Sequence, residues 1–118
     1  MQYLLMIYTN EKDETALGQG ALGKIVQEYA DYTKSIVQAG QFKGAERLRP
    51  VATASTVRVR DGKTLITDGP FAETREQLGG FYLVEAQNLD EALSLAARIP
   101  SARHGSIEVR PIWPMGEY

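Results

Sequence analysis

His104 is the one histidine of the chain, and no cysteine accompanies it. Imidazole is the side chain whose ordinary titration falls near neutrality, so His104 is the natural proton carrier of this sequence. Its setting, Ser101-Ala102-Arg103-His104-Gly105, is a connection just after a helix. In such a place a histidine can equally cap carbonyl groups or stand in water. Asp68 is the second candidate. It opens a polar connection, residues 68–78, that is longer than a hairpin needs, and long loops in small domains often carry function. If burial beside Phe71 strips water from its carboxyl group, Asp68 can act as general acid or base. The plainer alternative is an Asx-turn, in which the carboxylate accepts backbone N–H groups ahead of Gly69 and Pro70.

Three further sets offer binding rather than proton transfer. Glu73, Arg75 and Glu76 lie close together in that connection and suit a polar ligand, although charged loop residues are ordinarily just solvated. Arg47, with Arg49, Arg58, Arg60 and Arg110, can clamp a carboxylate or phosphate if several guanidinium groups converge; cross-strand ion pairing is the alternative. Tyr29, with Tyr32 and Tyr82, can donate a hydrogen bond into a pocket, but its helical spacing fits a core residue as well. A single histidine without cysteine, and without paired ligands one helical turn apart, offers no recognisable metal geometry. Gly69, Gly79 and Gly80 lack the strand, loop and helix context of a phosphate cradle. No cofactor is expected.

These groups must be held by a domain, and the totals bound what kind. A chain of 118 residues with 43% hydrophobic and 24% charged residues is an ordinary globular composition, long enough for one self-sufficient core. Thirteen Lys and Arg are balanced by fifteen Asp and Glu scattered along the chain, which argues against a nucleic-acid footprint. The apolar run at residues 3–8 is far short of the roughly twenty residues a membrane helix needs. With no cysteine and no charged leader ahead of that run, the expected location is cytoplasmic, without membrane attachment.

Along the chain, residues 2–8 read as a first, central strand, apolar on both faces. Leu22, Ile25, Tyr29, Tyr32 and Ile36 recur in steps of three and four, one face of a helix that Gly40 can close. Val57-Arg58-Val59-Arg60 alternates strictly, and Asp61-Gly62 then leads into Lys63-Thr64-Leu65-Ile66, a hairpin signature. Pairing across that turn sets Val57, Val59, Thr64 and Ile66 on one face, expected to be buried, and Arg58, Arg60, Lys63 and Leu65 on the other. Residues 80–86 read as another core strand. Asn88 and Glu91 have capping-box spacing ahead of a helix with Leu89, Ala92, Leu93, Ala96 and Ala97 on its apolar face, ended by Pro100. Residues 106–112 form the last strand, with Pro111 at an end or edge.

This order predicts an α+β fold of the ferredoxin-like, split β-α-β kind with an added hairpin, in one domain over residues 1–118. Two helices cover one face of its antiparallel sheet. Since the strands look apolar on both sides, the other face calls for a second copy, and a homodimer is expected.

The run Asp68-Gly69-Pro70-Phe71, with Leu78-Gly79-Gly80-Phe81-Tyr82, the opening Tyr3-Leu4-Leu5-Met6-Ile7-Tyr8 and the closing Ser106-Ile107-Glu108-Val109-Arg110-Pro111, resembles the DGPF group of the YCII-related family. The resemblance spans nearly the whole chain. It implies a dimeric α+β barrel, in which two ferredoxin-like sheets pack face to face. It also implies an enzymatic role through a His-Asp pair with the histidine on the first helix, a place where this chain has Tyr29 and Tyr32 and no imidazole. Members of the group are further associated with sigma factors of the extracytoplasmic-function type. Two functions follow as expectations: a small-molecule enzyme using Asp68, with His104, in acid/base chemistry, or a non-catalytic dimeric binding or regulatory module acting with a sigma factor.

Overall fold

Strand β1 (Gln2–Thr9) shows why its sequence is apolar at every step: Tyr3, Leu5, Ile7 and Thr9 are buried on one face, and Leu4, Met6 and Tyr8 lie half-buried on the other. The computed structural model describes residues 1–117. A short helix α1 (Glu11–Thr15) follows, capped by Asn10, whose Oδ1 accepts from the Asp13 N–H at 3.0 Å. The long helix α2 (Gln19–Gln38) buries Tyr32 and Ile36. It ends as expected at Gly40, with φ +74°; the Gly40 and Gln41 N–H groups turn back to Val37 O and Ile36 O and satisfy the last carbonyls.

Next comes β2 (Phe42–Arg47), a strand the sequence reading left out. Lys43, Gly44, Glu46 and Arg47 give it neither apolar alternation nor β-branched residues, so only its pairing with a neighbour reveals it. The hairpin β3 (Ser55–Arg60) and β4 (Lys63–Asp68) has the expected register, Val57 opposite Ile66 and Val59 opposite Thr64. Asp61 (φ 52°) and Gly62 (φ 75°) make the two-residue turn with positive φ at both positions.

Strand β5 (Gln77–Glu85), helix α3 (Leu89–Ala97), a 3₁₀ turn over Pro100–Arg103 and strand β6 (Ser106–Pro111) complete the chain. The main sheet runs β2-β5-β1-β6 with every neighbouring pair antiparallel. In each half, then, two strands joined through a helix flank a strand from the other half, the split β-α-β order. Pro111 sits at the end of an edge strand, where its missing donor costs no ladder bond.

Helices α2 and α3 cover one face of this sheet. Leu5, Ile36, Val84 and Ile99 are its largest fully buried side chains, and truncating Leu5, Ile36 or Ile99 to Ala would cost about 2–5 kcal/mol. Two expectations need correction. The buried face of α3 is Ala92, Leu95 and Ala96, while Leu89, Leu93 and Ala97 are exposed, because the helix turns its Leu95 side toward α2 and the sheet. The apolar hairpin face is not buried within the chain: Val57, Val59 and Ile66 remain 60%, 60% and 69% exposed, since β3 and β4 form a separate two-stranded sheet. The result is a plate of 48 × 46 × 18 Å. Its radius of gyration of 16.4 Å exceeds the roughly 13–14 Å of a compact chain of this length.

Candidate functional site

The 3₁₀ turn that precedes His104 is fastened on three sides. Tyr29 Oη and Ser101 Oγ share a hydrogen bond of 2.5 Å, Arg103 Nη2 meets Glu28 Oε2 at 2.7 Å, and Ser101 O accepts from the N–H groups of His104 (3.2 Å) and Gly105 (2.7 Å). Gly105 then passes so close to β1 that an added Cβ would stand 2.2 Å from Tyr8 O and 2.9 Å from Thr9 Cγ2. The backbone on both sides of His104 is therefore fixed, while its ring is exposed.

The ring borders a hollow of about 260 Å³ lined by Asn10, Asp13, Glu14, Leu17, Ile25 and His104. Three elements meet there: the cap and body of α1, the first turns of α2, and the connection after the 3₁₀ turn. The lining joins an imidazole and two carboxylates to an apolar wall, which is the mixture a small-ligand site needs. Chemically it can hold a small molecule with an apolar part and a donor-rich or cationic end, with His104 placed to exchange a proton.

A second, shallower hollow of about 390 Å³ lies at the β1–β6 end of the sheet, lined by Tyr8, Thr74, Glu76, Ser106, Ile107 and Glu108. Glu76 Oε1 accepts from Ser106 Oγ at 2.7 Å across its floor, and Glu108 is paired with Arg110. Among the described residues no group of three or more histidines and carboxylates is placed to hold a metal ion.

The other expected site residues are dispersed. Asp68 ends β4 on the separate hairpin sheet, is exposed, and lines neither hollow; Phe71, whose cover it would need, is 79% exposed. Glu73 and Arg75 are exposed in the loop 69–76, which Asn10 Nδ2 tethers by donating to Arg75 O at 3.1 Å. Arg47 is exposed at the end of β2, opposite Gly80. Tyr29 supports the 3₁₀ turn, and burial raises the pKa of its hydroxyl, with the Ser101 bond pulling the other way. Burial likewise raises Tyr32 and Tyr82. The sequence reading missed Asn10, Asp13, Glu14, Leu17 and Ile25. Asn10 followed by Glu11, Asp13 and Glu14 is itself a helix-start signal, an N-cap with an acidic first turn, and would have placed α1 beside the strand end.

With this geometry in hand, the model of the YCII-related domain matches residues 1–116. The chain belongs to the YCII-related family. An uncharacterized protein of Rhizobium meliloti (strain 1021) is 38% identical over 114 residues, covering 95% of this chain and 92% of that relative. In this YCII-related protein, Asp68-Gly69-Pro70-Phe71 stands at the foot of the hairpin. There the Gly69 N–H donates to Ala54 O at 2.7 Å and Gly69 O accepts from Thr56 Oγ1 at 2.9 Å. No helix among the described residues is long and apolar enough to cross a membrane.

Proposed function

We propose that this YCII-related protein acts as a homodimer closed across the bare faces of its two four-stranded sheets, and that each subunit binds a small molecule in the His104 hollow and moves a proton through that imidazole. The observation that carries the site is the placement of the chain's one histidine, on a fixed backbone, at the edge of a hollow that also holds two carboxylates and an aliphatic wall. A solvated histidine without function needs neither the Tyr29–Ser101 bolt nor the Gly105 close approach to define where it stands.

Closure rests on the face away from the helices. Leu4, Met6 and Tyr8 of β1 and Phe81 and Leu83 of β5 form one apolar strip across the two central strands, with Leu4 directly opposite Leu83 and Met6 opposite Phe81. Neither helix reaches this strip, and a second copy related by a two-fold axis covers it with an identical strip.

The single histidine makes the test direct, since one Cε1–H resonance reports on the site without assignment. Small molecules carrying an amine or several hydroxyls on an apolar body are titrated into the protein while that resonance is followed. The expected result is a saturable shift for one chemical class, lost in Leu17→Asp. A His104 signal unmoved by every class would remove the proton-transfer reading and favour the non-catalytic regulatory module, acting with a sigma factor.

A further inference from the structure

We infer that the β3–β4 hairpin is an intersubunit arm, whose Val57, Val59 and Ile66 face lies against a second copy of this chain. The inference deepens the closure proposed above and rests on it. Among the described residues strands β3 and β4 pair only with each other, and their apolar face stays largely exposed. A lone two-stranded ribbon is marginal in water, and one with an apolar face requires a surface to lie on.

The arm is anchored at its root. Glu11 accepts from the Val51 N–H at 3.0 Å, Gly69 N–H donates to Ala54 O at 2.7 Å, and Thr56 Oγ1 donates to Gly69 O at 2.9 Å. Of these, the Glu11–Val51 bond ties the root to α1, and the other two close the base of the hairpin on itself. Size points to a second copy as the occupant, because the five strip residues fall far short of the roughly 20–30 residues a side of a stable interface. The arm supplies further contact without any new element.

The test uses the full chain. Sedimentation over a concentration series compares the wild type with Leu83→Asp on the strip and with Val57→Asp/Ile66→Asp on the arm. The arm variant should weaken dimerisation by about a hundredfold, the loss expected when two apolar anchors become charged, with its circular dichroism unchanged because both positions are exposed in one chain. Dimerisation of the arm variant at wild-type strength overturns the arm and leaves the closure standing. A wild type that stays monomeric overturns the closure itself. A second readout needs no disruptive change: the chain has no native cysteine, so Val59→Cys carries the only thiol. Its alkylation should slow at least about tenfold when the protein dimerises, as burial withdraws the group from solvent. An alkylation rate independent of protein concentration across the dimerisation range overturns the arm.

Discussion

Raising the pH should unfold this protein through its buried tyrosines, and Tyr32→Phe should blunt the effect. Tyr32 is 5% exposed, donates to Leu95 O at 2.8 Å, meets the Tyr82 ring edge-on at 5.2 Å and lies beneath the Arg98 guanidinium at 5.5 Å. Its hydroxyl, with those of Tyr29 and Tyr82, is held above the ordinary tyrosine value of 10.0, chiefly by burial. The folded state therefore keeps protons that the unfolded chain releases. That contribution is fully present below pH 10 and is lost as the pH climbs above it. Each tyrosine withdraws at most about 1.4 kcal/mol of stability per pH unit, and the half-buried Tyr29 less. At neutral pH, Tyr32→Phe removes the side-chain donor to the Leu95 carbonyl, which keeps the Arg98 N–H at 3.3 Å, and should cost about 0.5–1.5 kcal/mol, lowering Tm by roughly 2 to 6 °C. Above pH 10 the variant should lose stability with a visibly shallower slope than the wild type. Denaturant unfolding from pH 7 to 11, followed by circular dichroism and tyrosinate absorbance, measures both. Equal alkaline slopes in the two proteins would refute the assignment of Tyr32 as a withheld proton.

Two further outcomes follow from local geometry. Gly105→Ala drives a Cβ into Tyr8 O at 2.2 Å and must displace β1 or the 3₁₀ turn; a loss of about 1–3 kcal/mol is expected, with a changed His104 resonance in the protein that still folds. A variant with wild-type Tm and resonance would mean that the close approach does not position His104. Asn88→Ala removes the oxygen that accepts from Glu91 N–H at 2.9 Å, and thermal melting should show a loss of about 1 kcal/mol. No change in Tm would show that α3 needs no cap.

What could be read in the sequence were the features with strong local causes. The double-sided apolar pattern of β1 placed it centrally, and Asp61-Gly62 gave the hairpin its turn and register. Asn88 capped α3 as its spacing implied, although Glu91 accepts from Gln41 Nε2 at 3.3 Å, so its side chain is engaged across elements. What escaped was decided by tertiary context. Strand β2 exists because Ala45 and Phe42 pair with β5, not because its own residues favour extension. The hairpin's exposure depends on its standing apart from the main sheet, which alternation alone cannot foretell. His104 was legible as a residue type, but the hollow beside it is built by α1 and α2, whose approach no local pattern encodes.

Whether two bare sheets face one another in solution is read most directly from the mass of the wild type beside that of the strip variant. Light scattering on the eluting wild-type protein at micromolar concentration should give twice the 13.0 kDa of one chain, and Leu83→Asp should give a folded species of 13.0 kDa. A wild type that elutes folded at the mass of a single chain would contradict the closure.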